Sequence, residues 1–165
     1  MEPYKDPIIT KYTSLILAAI PGVFKSTFQG DPIRLAKSDY PALIISKSRT
    51  RVGPHTNSED EHEIALILTV VVDVRAEIND SKEITPGIAK LYDIIEGRDA
   101  QYKLKSGSIL NILRTNIAVD ASLNLRTDLG SITTANYGLT IGKRAQDTYG
   151  VEGSIEFIAS FNQLR

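Results

Sequence analysis

The chain has 165 residues, 42% of them hydrophobic and 24% charged, which fits one soluble globular domain and excludes a multidomain enzyme or wholesale disorder. Nineteen Lys and Arg against twenty Asp and Glu leave a formal charge of -1, so no overall field favours nucleic acid or an anionic membrane. With zero cysteines, disulfide frames, thiolate zinc sites and cysteine nucleophiles are closed to it.

The opening Met1-Glu2-Pro3-Tyr4-Lys5-Asp6-Pro7 lacks the basic start and apolar middle of a secretory signal, which predicts cytoplasmic synthesis. Asp6-Pro7 is a helix start, with a capping carboxylate followed by a residue preset for the first helical position. Ile8, Ile9, Tyr12, Leu15, Ile16, Ala19 and Ile20 then recur at three- and four-residue spacing, predicting an amphipathic helix that Pro21-Gly22 ends. A short strand is expected over Val23–Phe28, then a loop up to Ser38. A second strand runs from Tyr40-Pro41-Ala42-Leu43-Ile44-Ile45 through Lys47, Arg49 and Arg51 to Val52, and the polar stretch Gly53–Asp60 reads as an exposed hairpin tip.

Ile64, Leu66, Leu68, Val70, Val72, Val74, Ala76 and Ile78 alternate on one face of the next strand, and Ala65, Ile67 and Val71 make its other face partly apolar. Burial on both sides places this strand mid-sheet. Its longest apolar stretch, Ile64 to Val74, is broken by Thr69 and Asp73 and is far shorter than the roughly 20 residues of a membrane-spanning helix. After a polar break at Asn79–Glu83, Thr85-Pro86 starts a helix with the stripe Ile88, Leu91, Tyr92 and Ile95, and Ser106–Leu113 suggests a second helical segment. The last third switches to a two-residue period. Ile117, Val119, Ala121, Leu123 and Leu125 predict one strand, Tyr137, Leu139 and Ile141 another, and Val151, Ile155, Phe157, Ala159 and Phe161 a third. Turn residues at Asp128–Gly130 and Lys143–Gly150 would make these an antiparallel meander. The expectation is a single α+β domain over residues 1–165, an antiparallel or mixed sheet with flanking helices in the order α-β-β-β-α-β-β-β.

No P-loop, Rossmann glycine fingerprint, nucleophile elbow or zinc helix occurs. The densest group of polar side chains is His55, Glu59, Asp60, Glu61, His62 and Glu63. Its spacing matches no metal motif, and a solvated acidic hairpin tip is the preferred reading. Lys47, Arg49 and Arg51 would share one strand face by the two-residue period. With the hairpin centred near Thr56, Arg51 falls opposite Glu61 and Arg49 opposite Glu63, cross-strand pairs of about 0.2–1 kcal/mol each. The same charged edges could instead meet their opposites on neighbouring copies and set register in an assembly. The carboxylates of Asp128, Asp147, Glu152 and Glu156 read as solvated sheet edges.

The helix closed by Pro21-Gly22, the segment Asp39–Ile45, the polar hairpin tip before the long apolar strand, the capped helix Thr85–Glu96 and the C-terminal strands together resemble the tail terminator, or tail completion, proteins of tailed bacteriophages, of which the lambda protein is the type. The likeness is one of element order and size over most of the chain, and the polar stretch Arg98–Ser108 has no counterpart in it. The resemblance implies a non-enzymatic structural protein of the virion, without cofactor or metal. Its subunits would form a hexameric ring on the tail tube protein, stop tube polymerisation and present a surface to head-completion or connector proteins, while genomic DNA passes through without sequence-specific binding. Lys47, Arg49, Arg51, His55, Glu59, Asp60, Glu61 and Glu63 are then the candidate subunit or partner contacts. The residues leave other classes open: a different neck or tube subunit, a small motif-free enzyme, or a metal-binding module built on His55 and His62.

Overall fold

Asp6 and Pro7 do begin the first helix, α1 (Pro7–Ala19), in the computed structural model, which describes residues 5–32, 34–75, 85–141, 143–144 and 149–165. The Asp6 carboxylate accepts from the amides of Ile8 and Ile9 at 2.9 and 3.1 Å, two of the donors that a helix start leaves free. Ile8, Ile9, Tyr12 and Ile16 are its buried face. The chain turns away at Gly22, whose φ of 77° suits a residue without a side chain.

Three strands follow, β1 (Ser26–Gln29), β2 (Ala42–Pro54) and β3 (Glu59–Asp73), then the helices α2 (Thr85–Glu96) and α3 (Ile109–Thr115), then β4 (Ala118–Asp120), β5 (Leu125–Ile141) and β6 (Tyr149–Leu164). The strands form one sheet of order β1-β2-β3-β6-β5-β4. Among the described residues only the β1–β2 pair is parallel. The protein is thus α+β with a mixed sheet, in the expected order, with α3 as the additional short helix. β3 lies between β2 and β6, mid-sheet as its two-sided apolar pattern requires.

Side chains alternate across a sheet, and the main core lies on one side of it. Leu43, Ile45, Ile64, Leu66, Leu68, Val70, Val72, Val151, Ile155, Phe157 and Ala159 face the apolar stripes of α1, α2 and α3. Gly153 of β6 lets α2 approach, because a Cβ there would lie 2.7 Å from Ile95 and 2.8 Å from the Tyr137 ring. On the opposite face a second cluster, Leu35, Tyr40, Ala42, Ile44 and Val71, packs beneath the segment that joins β1 to β2. It covers one end only. Among the described residues no helix lies over the remainder of that face, and no helix is long and apolar enough to cross a membrane.

The expected strand over Val23–Phe28 is shorter and later, at Ser26–Gln29. The expected strand Ile117–Leu125 is instead a hairpin, β4 and the start of β5 joined by a turn at 121–124. Asp120 accepts from the Ser122 amide at 2.8 Å, and Asn124 takes a φ of 51°. This local turn chemistry outweighs the alternation, leaving Ile117 and Leu123 exposed. Conversely, the turn expected at Asp128–Gly130 is a bulge inside a continuous β5. The Ser131 hydroxyl donates to the Asp128 carbonyl and accepts from the Ile158 amide, so a side chain bridges the interrupted ladder. Tyr92 sits on the solvent edge of the expected α2 stripe and is 44% exposed. The expected continuation of β3 through Ala76 and Ile78, and the polar break at Asn79–Glu83, lie outside the described residues.

Candidate interaction surface of the hairpin and the helix-free face

The β2–β3 hairpin turns over Pro54–Glu59. The amides of His55 and Thr56 donate to the Glu59 carbonyl at 2.9 and 3.1 Å, and the Thr56 hydroxyl accepts from the Glu59 amide at 3.1 Å. These bonds centre the hairpin near Asn57, one residue beyond the expected Thr56. Arg51 therefore faces Glu63, Arg49 faces Ala65, and Glu61 faces Gly53. Both expected pairs, Arg51 with Glu61 and Arg49 with Glu63, are displaced by two residues.

A β-bulge between Lys47 and Arg49 overturns a second expectation, that these basic residues share one face. Lys47 pairs with Leu66 and Arg49 with Ala65, so the extra residue Ser48 reverses the alternation. Lys47 points to the helix side and forms an ion pair with Asp6, the cap of α1. Burial pushes the Asp6 carboxyl upward, but the Lys47 hydrogen bond and charge and the amides of Ile9 and Ile8 outweigh it and hold the group below its ordinary value. Arg49 and Arg51 stand on the helix-free face beside Glu63, Ala65 and Ile158. Among the described residues Arg49 has no ion-pair partner, and Arg51 meets Glu63 at 3.7 Å in solvent, a pair of little energetic weight.

The acidic residues are engaged by the C-terminal strands. Glu61 receives Arg126 at 2.6 Å, and Asp60 receives Arg165 at 3.0 Å. Arg165 also donates to the Thr56 and Ser58 carbonyls, so the end of β6 braces the hairpin turn. His62 lies on the helix side with its ring stacked on Phe161 at 4.7 Å, whereas Glu61 and Glu63 point to the other face by alternation. His55 is exposed in the turn. The six residues that looked like a cluster in sequence are therefore divided between two faces and a turn. Among the described residues, no group of three or more His, Asp or Glu could hold a metal ion.

An ion-pair network at the opposite end of the helix-free face escaped the sequence reading. Arg144, 4% exposed, forks onto Glu152 with Nε to Oε1 at 2.9 Å and Nη2 to Oε2 at 3.2 Å. Its Nη1 pairs with Asp31 and donates to the Pro32 carbonyl at 3.1 Å. Burial disfavours the guanidinium charge, but the Glu152 and Asp31 carboxylates outweigh this and raise its pKa. Glu152 is consequently buried, not a solvated edge. Asp128 and Glu156 are exposed as expected, and Asp147 lies outside the described residues.

Arg144 ties the β1–β2 segment to the β5–β6 end and walls an open cleft of ≈ 550 Å³ floored by Ile44, Ser46, Ile67, Thr69 and Ser154. Across the sheet from it, on the helix side, burial and then the Glu96 carboxylate push the Tyr137 phenol upward, and its ring meets Tyr92 edge-on at 4.6 Å. No local signal marked this site, because Arg144 and Asp31 are 113 residues apart. The surface as a whole offers small hydroxyl side chains, isoleucines and charges of both signs. No protein-family model matches the chain, and no curated protein sequence matches it either.

Proposed function

We propose that the chain is a structural subunit of the neck of a tailed bacteriophage. In this reading it caps the head-proximal end of the tail tube as a hexameric ring, ends tube growth and offers the surface that head-completion proteins join. The observation that supports it is the one-sided architecture: the helices pack on one face of the sheet, while the other carries Ser46, Arg49, Arg51, Ala65, Ile67, Thr69, Ser154 and Ile158 without a covering helix among the described residues. The two sides of such a sheet differ, as head-to-tail association requires, and a head-to-tail contact whose rotation closes makes a ring. Genomic DNA would pass through without sequence-specific contacts, in keeping with a formal charge of -1.

The test is electron microscopy of particles assembled from the encoding genome with this gene deleted. Tail length and head attachment are scored together. Overlong or headless tails are expected. Normal tails on DNA-filled heads would overturn the proposal, and self-assembly of the purified chain into long tubes would assign it to the tube itself.

A further inference from the structure

The two edges of the sheet are each closed over part of their length, at opposite ends. β1 covers the outer edge of β2 only along Ala42–Ile45, and β4 covers the outer edge of β5 only near Leu125 and Arg126. Among the described residues no strand pairs with the outer edge of β2 from Ser46 to Pro54, nor with that of β5 from Thr133 to Ile141. Each run presents a row of backbone donors and acceptors that a further strand would satisfy.

We propose that the partner on each edge is a second copy of this chain, the β2 run of one subunit adding antiparallel to the β5 run of the next. This deepens the ring reading and rests on it for closure. Across β2-β3-β6-β5 every pair is antiparallel, so β5 runs opposite to β2. A neighbour in the same orientation therefore meets β5 in antiparallel sense, the geometry of head-to-tail addition. Pairing β2 with β2 across a two-fold axis would set Arg49 and Arg51 of one copy against those of the other, and like charges directly opposite destabilise a ladder.

The partial closures also dictate a stagger. Overlapping the two free runs, with helix side matched to helix side, places Val52 of one copy opposite Thr134 of the next. Within one subunit Val52 is level with His62 of β3, whereas Thr134 is level with Leu68 through Ile155. The neighbour is therefore displaced by about six residues, on the order of 20 Å at ~3.4 Å per residue. The four strands crossed before the next β2 begins occupy roughly 19 Å at ~4.8 Å spacing. A rise of this size over that width inclines the strands by about 45° to the ring axis, at the upper end of the 35–45° tilt by which sheets close into barrels. The same stagger places β4 of one copy beyond the end of the neighbour's β2 run and brings the neighbour's β1, which pairs with Ile45, level only with Ile141, the last residue of the β5 run. The closures thus leave the rest of the contact clear.

The chain lacks cysteine, so a V52C/T134C variant forms disulfides only at the introduced sites. Val52 is 54% exposed and Thr134 exposed, and urea unfolding beside the wild type verifies that the fold survives. Under mild oxidation the double variant is expected to run as a ladder of covalent oligomers on non-reducing gels, with neither single variant cross-linking. A double variant that stays uncross-linked overturns the pairing. So does V52C alone forming covalent dimers, which would mean β2 against β2, or T134C alone doing so, which would mean β5 against β5. Native mass spectrometry of the wild type separates the two readings: a hexamer whose double variant fails to cross-link keeps the ring and discards these edges, whereas cross-linked oligomers with normal tails in the deletion particles keep the edges and discard the neck role.

Discussion

The hydroxyl pair that joins α1 to the sheet permits a quantitative test of the core. Tyr12 is fully buried, its ring centroid 4.9 Å from that of Phe157, and its hydroxyl lies 2.7 Å from Oγ1 of Thr127, itself 3% exposed. Tyr12→Phe keeps the ring and strands the Thr127 hydroxyl, while Thr127→Val strands the phenol. Each should cost about 1–3 kcal/mol, because a buried polar group that loses its partner bears its whole desolvation penalty. The double variant replaces both groups by apolar ones and should cost well less than the sum of the singles, with a coupling of roughly 1–2 kcal/mol. With a urea dependence of about 2 kcal/mol/M, each single should lower the unfolding midpoint by roughly 0.5–1.5 M. Additive losses in the double variant would refute the interaction.

The same side chain predicts an alkaline effect. Burial pushes the Tyr12 phenol up from 10.0 to about 12, with the Thr127 hydrogen bond pulling weakly the other way. The unfolded chain releases this proton near its ordinary value, so between those limits the folded state holds more proton. Stability present below pH 10 is therefore lost progressively as pH rises towards 12. A shift of this size corresponds to on the order of 2–3 kcal/mol. Tyr12→Phe should flatten the fall of the urea midpoint over that window relative to the wild type. Parallel curves would show that the phenol is not held as the structure places it.

Two further substitutions probe the packing of each face. Gly153→Ala introduces a Cβ within 3 Å of both Ile95 and Tyr137 and should destabilise by about 1–3 kcal/mol through overpacking; an unchanged melting temperature would mean that α2 does not sit tight on β6. Arg144→Met removes the buried fork from Glu152, which keeps Lys143 at 3.2 Å, and should cost about 1–3 kcal/mol, part of it recovered when Glu152→Met is added, since a buried pair is costlier to break singly than to replace whole. A loss below about 1 kcal/mol for Arg144→Met would show that the network contributes little.

Fold class was legible because it rests on periods that individual elements carry. The α1 stripe ends in a proline and a glycine, and the two-sided apolar run of β3 demands a central place whatever surrounds it. The local turn chemistry of Asp120 and Asn124 was also written in the sequence, but it competes there with an alternating pattern, and only the folded chain shows which prevails. The hairpin charges were legible as a group and illegible as partners. One bulge at Ser48 and a turn centred one residue later send Lys47 to the cap of α1, Arg51 to Glu63 and Glu61 to Arg126.

Sequence by itself therefore determined the fold class, the order of the main elements and the faces that α1 and β3 bury, since these depend on neighbours within a few residues. Tertiary structure decided the register of the ladders, the network of Arg144 with Glu152 and Asp31, and which edges of the sheet remain unpaired. Those features depend on residues brought together across the whole chain, where a single inserted residue in a strand exchanges one face of the sheet for the other.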